Sequence, residues 1–106
     1  MLKNNNYQDK RTGLTLSVVA LAQVNTELGK ATFHIGVSRE AIKKGGDYII
    51  ETRTMFLTFD RNVNPYEYAY SKAKEQKEVE VFNEETHEYE KKVVDGLFTG
   101  WENYYL

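Results

Sequence analysis

The chain has 106 residues, no cysteine and a single proline. The absence of cysteine excludes a disulfide framework, a thiolate metal site and a thiol nucleophile. No stretch reaches the roughly 18 consecutive apolar residues that span a bilayer, and the polar residues 1–11 lack the apolar segment of a signal peptide. We therefore expect a soluble cytoplasmic protein with no membrane insertion.

The sequence also lacks the motifs of the common catalytic sites. It has no nucleophile elbow around a serine, no glycine-rich nucleotide loop and no P-loop. His34 and His87 are the two histidines, and neither has a second ligand at the spacing that would bring both onto one face of an element. We therefore expect a protein that is not an enzyme, with no metal site and no cofactor.

Charge of one sign is not in large excess. The net charge is −2 and the isoelectric point is about 5.7, which does not favour a protein that binds polyanions over its whole surface. Hydrophobic residues make up 41% of the chain and aromatic residues 13%, which is enough to fold one core. Any nucleic-acid site must then be a local basic patch.

The pattern along the chain predicts a flexible N-terminal tail over residues 1–12 and a single β-rich domain over residues 13–106. Residues 14–24 and 31–37 have the alternation and β-branched content of strands. Residues 47–60 form the longest run of strand-forming residues, and we predict one central strand there, bent at Thr52-Arg53-Thr54. Residues 78–94 alternate on both sides of a polar turn, which predicts a hairpin.

Two short helices are predicted between these strands. The first runs from an N-cap at Ser38 to a glycine stop at Gly45. The second begins at Asn64-Pro65 and continues to about Glu75, with a capping residue followed by proline at the first helical position. After residue 96 comes an aromatic tail that we expect to dock on the core, with members Leu97, Phe98, Trp101, Tyr104 and Tyr105. The predicted fold is α+β: a small β-rich barrel or strongly curved antiparallel sheet of five or six strands with two short helices.

The first helix carries a cluster of basic residues. Arg39 and Lys43 lie one turn apart on the same face, and Lys44 follows. Arg53 could join them after folding, and the rings of Tyr48 and Tyr68 could stack on bases, as in proteins that bind RNA or single strands. These six residues are the predicted nucleic-acid site. The alternative is a solvated helix end whose lysines complement the helix dipole.

The hairpin is acidic, with seven glutamates and three lysines between residues 75 and 92. A charged strand edge resists association with other edges, and the same surface could instead dock another protein. If a nucleic acid binds this chain, we expect it to avoid the hairpin.

The run Val37-Ser38-Arg39-Glu40-Ala41-Ile42-Lys43-Lys44-Gly45-Gly46-Asp47-Tyr48-Ile49-Ile50 is a short helix that leads through a Gly-Asp turn into a strand. It resembles turns of PUA-like RNA-binding barrels and of swapped-hairpin DNA-binding domains. The chain as a whole is similar to small accessory proteins of Gram-positive phages and conjugative plasmids. Among them it most resembles PrgU-like regulators, which are encoded beside surface adhesins on enterococcal plasmids and have a PUA-like fold.

The sequence thus leads to two functional hypotheses. The first is a non-enzymatic regulator of a mobile genetic element that binds a nucleic acid, RNA in preference to DNA as the expected ligand, through the basic helix and nearby aromatic residues. The second is a protein interaction module of a phage or conjugative plasmid that binds a host or element-encoded protein and no nucleic acid. The sequence does not decide the oligomeric state.

Overall fold

The computed structural model describes residues 1–104, and it confirms the α+β class. The elements, in order, are β1 (Leu2–Gln8), β2 (Thr15–Asn25), β3 (Lys30–Gly36), α1 (Arg39–Lys44), a 3₁₀ turn (Gly46–Tyr48), β4 (Glu51–Phe56), α2 (Pro65–Lys74), β5 (Lys77–Asn83), β6 (Glu88–Val94) and β7 (Glu102–Asn103). In the described part of the chain no helix is both long enough and apolar enough to cross a bilayer.

Five strands form one antiparallel sheet in the order β4-β3-β2-β1-β7, and β5 pairs only with β6. Over residues 1–104 this sheet is open, with β4 and β7 as its two edges. The structure therefore confirms a small β-rich antiparallel fold with two α-helices, and it has no closed barrel in that range.

One face of the sheet, which we call the inner face, holds the main core. Alternate residues of β2 and β3 point to this side, as the period of two requires, and Ala20, Phe33 and Ile35 are fully buried there. Helix α2 packs on it through Ala69 and Ala73. The interior of the domain therefore lies between the sheet and α2.

Helix α2 begins and ends as the sequence predicts. The Asn64 side chain accepts hydrogen bonds from the amides of Tyr66 and Glu67, at 3.0 and 3.3 Å, and Pro65 occupies the first turn. The hydroxyl of Tyr70 accepts the amide of Ala22 at 2.7 Å. Since β1 pairs with β2 only as far as Ala20, this bond satisfies a strand amide that β1 does not reach.

The predicted N-terminal tail is wrong for residues 2–8. They form β1, which lies inside the sheet between β2 and β7, and Leu2 is fully buried. A one-residue shift in register between Asn4 and Tyr7 marks a β-bulge, which turns Tyr7 toward the inner face beside Leu16. The domain thus includes residues that the sequence pattern assigned to a tail.

The predicted central strand over residues 47–60 is also wrong in extent and position. Its first part is the 3₁₀ turn, and its paired part is β4, an edge strand of six residues. Pairing with β3 is uninterrupted from Glu51 to Phe56, so the predicted bend at Thr52-Arg53-Thr54 is absent. Hydrophobic content alone suggested burial, whereas the Phe56 side chain is 76% exposed.

Helix α1 covers one end of the opposite face of the sheet, the outer face. The Ser38 hydroxyl accepts the amide of Ala41 at 3.1 Å, and Gly45 ends the helix with a φ of 69°, as predicted. Ile42 lies on Gly36, where even a Cβ atom would approach Ile42 Cγ1 to 2.7 Å. The absence of a side chain at Gly36 is therefore what brings α1 close to the sheet.

The predicted hairpin is confirmed, and it projects from the body as a separate two-stranded ribbon. We call residues 77–94 the acidic arm. Gly96 at its base leaves no room for a Cβ atom against the carbonyl groups of Ala73 and Glu75, and Gln76 bonds Asp95 at 3.1 Å. The arm is thus fixed at its base to the end of α2.

The aromatic tail docks on the core as expected. Phe98 is fully buried and Trp101 nearly so, with their rings 4.8 Å apart. The amide of Phe98 donates to the carbonyl of Ala73 at 2.8 Å. Tyr105, the last member of the predicted tail, lies outside the described residues.

Candidate nucleic-acid interface

Helix α1 and the 3₁₀ turn bring four of the six predicted residues to one end of the outer face. Arg39, Lys43 and Lys44 are exposed on α1. The ammonium group of Lys44 lies 5.1 Å from the centre of the Tyr48 ring. This geometry is a cation–π contact, and it places a positive charge and an exposed aromatic ring side by side.

The outer face continues from α1 across three strands that no other described element covers. The strand register places Thr52 beside His34 and Leu21, Thr54 beside Thr32 and Gln23, and Phe56 beside Lys30. We call this set the open outer face: Leu21, Gln23, Lys30, Thr32, His34, Thr52, Thr54 and Phe56. It presents hydroxyl, amide and imidazole groups, and an exposed ring at its far end.

The open outer face carries no carboxylate. Its one formally charged residue is Lys30, whereas Glu51, the acidic residue of β4, lies on the inner face opposite Ile35. The carboxylates that follow or precede this set along the chain lie outside its strands, in the β2–β3 turn, α1, the 3₁₀ turn and the segment after β4: Glu27, Glu40, Asp47 and Asp60. A phosphate chain would therefore meet no like charge on the strands themselves.

His34 and Thr52 form the polar centre of this surface. The His34 Nδ1 atom is 3.3 Å from the Thr52 hydroxyl, and either group can donate, depending on the tautomer of the ring. The remaining imidazole nitrogen and the neighbouring threonine hydroxyls are groups that can bond base edges or sugar hydroxyls.

Arg53 is not brought beside α1, because its side chain lies on the inner face. Its guanidinium group bonds the Glu51 carboxylate and the carbonyl of Leu97. It also lies 5.0 Å from the centre of the Phe98 ring and 5.7 Å from that of Trp101. These contacts fasten the segment after β6 to the sheet.

Tyr68 lies on the other side of the sheet from α1. It belongs to α2, and its ring packs against Phe59 at 5.8 Å between centroids. The ammonium group of Lys72 lies 5.7 Å above the same ring. The predicted group of six residues is therefore divided. Four belong to α1 and the 3₁₀ turn, where Lys44 contacts Tyr48 and Arg39 lines a cavity with Met1 and Tyr104, whereas Arg53 and Tyr68 lie on the inner side.

A polar group on the inner face surrounds Arg53. The Tyr7 hydroxyl donates to Glu51 Oε1 at 3.0 Å. Burial by itself would raise the pKa of Glu51, but hydrogen bonds from Arg53 and Tyr7 outweigh it, and the pKa lies below its usual value. Burial, followed by the bond to Glu51, raises the pKa of Tyr7. The carboxylate is thus held in its charged form within the fold.

The threonines, His34 and Phe56 are not among the six residues that the sequence predicts for the site. The signal was present, since the even positions of residues 48–58 carry no charge. An uncharged strand face is usually interpreted as a buried one, whereas here it is the mixed face, with Glu51 and Arg53, that points inward.

Comparison of this chain with models of known protein families, with curated proteins and with solved structures finds no match. Conclusions about function therefore rest on the geometry of the chain itself.

Proposed function

We propose that this protein is a non-enzymatic, cytoplasmic regulator of a mobile genetic element that binds RNA on its outer side, with DNA as the second candidate ligand. The RNA would contact α1, the 3₁₀ turn and the open outer face. The observation that carries the proposal is the continuity between the Lys44–Tyr48 pair and a sheet face without carboxylates.

The shape of this surface favours a single strand. The deep major groove of an RNA duplex hides its bases, whereas unpaired bases can lie flat on exposed rings. Tyr48 and Phe56 supply rings at opposite ends of the surface, and the threonines and His34 supply hydrogen-bonding groups between them. Arg39, Lys43 and Lys44 would neutralise phosphates at the α1 end.

In this proposal Arg53 and Tyr68 do not contact the RNA. Arg53 is engaged by Glu51 and Leu97 on the inner face, and moving it to a ligand would leave the Glu51 charge without its partner. Tyr68 is half-buried on α2. The RNA-contacting set is therefore Arg39, Lys43, Lys44 and Tyr48, extended by the open outer face.

The proposal is tested by titrating an unstructured, fluorescently labelled RNA with the protein at low and moderate salt. A variant with Arg39→Ala, Lys43→Ala and Lys44→Ala should bind at least about tenfold more weakly. Its plot of log affinity against log salt should be shallower by about 0.7 for each lost phosphate contact. The matched control removes three charges from the acidic arm: Lys77→Ala, Lys91→Ala and Lys92→Ala.

The control variant should lose much less affinity than the α1 variant, although both lose three positive charges. The same oligonucleotide made as DNA should bind more weakly. Binding that does not respond to salt, or an equal loss of affinity in the two triple variants, would overturn the proposal.

The alternative, a protein interaction module without nucleic-acid binding, is favoured by one observation. The acidic arm exposes large apolar side chains, including Phe82, Tyr89 and Val93. If this alternative holds, the Phe82→Ser and Tyr89→Ser variants should abolish the binding of a purified partner, and the protein should show no affinity for RNA.

A further inference from the structure

The acidic arm carries both of its aromatic rings on one of its two faces. Phe82 pairs with Tyr89, Glu80 with Lys91 and Glu78 with Val93. Because alternate residues of a strand share a face, all three pairs point to the same side of the ribbon. Phe82 is 46% exposed, Tyr89 72% and Val93 65%, and the rings of Phe82 and Tyr89 are 5.3 Å apart. We call this the aromatic face of the arm.

A ribbon of this kind is incomplete by itself. Two-stranded hairpins are marginally stable in water without a third strand or a packing surface, and every residue of β6 is exposed. Among the described elements, β5 and β6 pair only with each other. The exposed aromatic and β-branched side chains therefore indicate a surface that becomes covered.

The charge of the arm indicates what covers it. Residues 77–94 contain six glutamates and three lysines, so one arm repels another. The open outer face has Lys30 and no carboxylate, and the basic residues of α1 adjoin it. It also exposes Phe56, an aromatic side chain without cover. Charge and apolar surface on the two sites are complementary.

The two complementary sites lie on opposite sides of the same molecule. The base of the arm is held against the end of α2 by Gly96 and by the bond between Gln76 and Asp95, and α2 packs on the inner face. The arm leaves the body from the inner side, so it does not lie on its own open outer face. The contact is therefore between two molecules.

We propose that the acidic arm of one copy of this chain docks, aromatic face down, on the open outer face of a second copy. If each arm reaches the other molecule, the two contacts close a symmetric dimer. The arm packs on the face as one sheet packs on another. Phe82 and Tyr89 lie over the threonines of the open outer face, and the arm glutamates lie near Lys30 and α1.

This contact occupies the surface that we propose for RNA. Dimer formation and RNA binding would exclude each other, with the arm acting as an acidic competitor. The dimer itself does not depend on the RNA proposal, since it is measured without RNA. Failure of either proposal is therefore distinguishable from failure of the other.

The test is sedimentation velocity of the full chain over a concentration series up to about 1 mM, the weak end of specific association. The arm variant carries Phe82→Ser and Tyr89→Ser. The face variant carries Lys30→Glu and Thr54→Glu. The wild type should form dimers, and each variant should shift its dimerisation constant by at least about tenfold toward the monomer. Circular dichroism establishes that each variant is folded.

Mixing the two variants provides the decisive result. The arm variant keeps an intact outer face and the face variant keeps an intact arm, so the mixture retains one of the two contacts. It should form a heterodimer that is tighter than either variant's homodimer. The charge reversals Glu78→Lys and Glu80→Lys, introduced into the face variant, should restore part of its self-association.

Three results would each overturn the proposal. The first is a wild type that is monomeric throughout the concentration series. The second is a face variant that dimerises as the wild type does, which would indicate pairing of arms or of strand edges. The third is a mixture that associates no better than its separate components.

Discussion

The Tyr7 hydroxyl donates a hydrogen bond to Glu51 at 3.0 Å, although β2 and β3 lie between their strands. In a flat sheet, β1 and β4 would be about 14 Å apart across the strands. Tyr7 pairs with Leu16 of β2, whereas Glu51 pairs with Ile35 of β3, which in turn pairs with Ala20 of β2. The separation of Leu16 and Ala20 along β2 would offset Tyr7 from Glu51 by about 13 Å in the strand direction as well. The bond forms because the sheet is strongly curved around its inner face.

The bond from Tyr7 to Glu51 should be measurable as stability. Tyr7→Phe removes the donor and keeps the ring against Trp101, and we expect a loss of about 1–2 kcal/mol in the free energy of unfolding, since the acceptor is charged. Tyr48→Phe, at an exposed ring, should change stability by less than about 0.5 kcal/mol. Urea denaturation measures both, and equal small changes would contradict the role given to Tyr7.

The lowered pKa of Glu51 predicts how stability depends on pH. In the folded state Arg53 and Tyr7 favour the carboxylate, so the pKa lies below the usual 4.5. The resulting stabilisation is present above that usual value and is lost as the pH falls through the lower, folded-state value. Below pH 4.5 the unfolding free energy of the wild type should therefore fall more steeply than that of Glu51→Gln. Parallel curves for the two proteins would show that Glu51 is not coupled in this way.

The base of the arm gives a prediction about packing. A Cβ atom at Gly96 would collide with the carbonyl groups of Glu75 and Ala73, which belong to backbone and cannot rotate away. Gly96→Ala should therefore cost about 1–3 kcal/mol of unfolding free energy. Ser71→Ala, at an exposed position of α2, should stay within about 0.5 kcal/mol of the wild type. Thermal or urea denaturation compares them, and a neutral Gly96→Ala would mean that the arm is not fixed at this point.

The sequence predicts well those elements whose signals are local. Both helices, with their caps at Ser38 and Asn64, and the acidic hairpin follow from residue type and short-range spacing. Strand β1 could not be predicted in this way, because its buried residues Leu2 and Tyr7 are an odd number of positions apart. Only the β-bulge between them brings both to the inner face, and a bulge depends on the partner strand.

The candidate site was predicted in part for the same reason. The basic residues of α1 and Tyr48 are close in sequence, so their proximity follows from a helix and a turn. Arg53 was expected to join them, but the face on which it lies is decided by the register of β4 with β3 and by the docking of Phe98. Which face of a strand is buried is a tertiary property, and alternation alone leaves both choices open.

The exposed ring of Phe56 leads to a prediction about RNA affinity. If bases stack on it, Phe56→Ser should weaken binding of a single-stranded RNA by about tenfold or more, since one stack contributes about 1–3 kcal/mol. The salt dependence should not change, because no phosphate contact is lost. Tyr89→Ser, at an equally exposed ring on the acidic arm, should not weaken binding. Fluorescence anisotropy distinguishes the two, and a similar loss in both variants would contradict a site on the sheet.

The most direct test of the proposed interface is amide chemical-shift mapping of the ¹⁵N-labelled protein during titration with unstructured RNA, using the arm variant if the wild type dimerises. The shifted amides should cluster on α1, the 3₁₀ turn and strands β2 to β4, around Lys44, Tyr48, Thr52 and Thr54. Amides of α2 and of the acidic arm should keep their positions. Shifts centred on α2 or on the arm, or no shifts at RNA concentrations of about 1 mM, would contradict it.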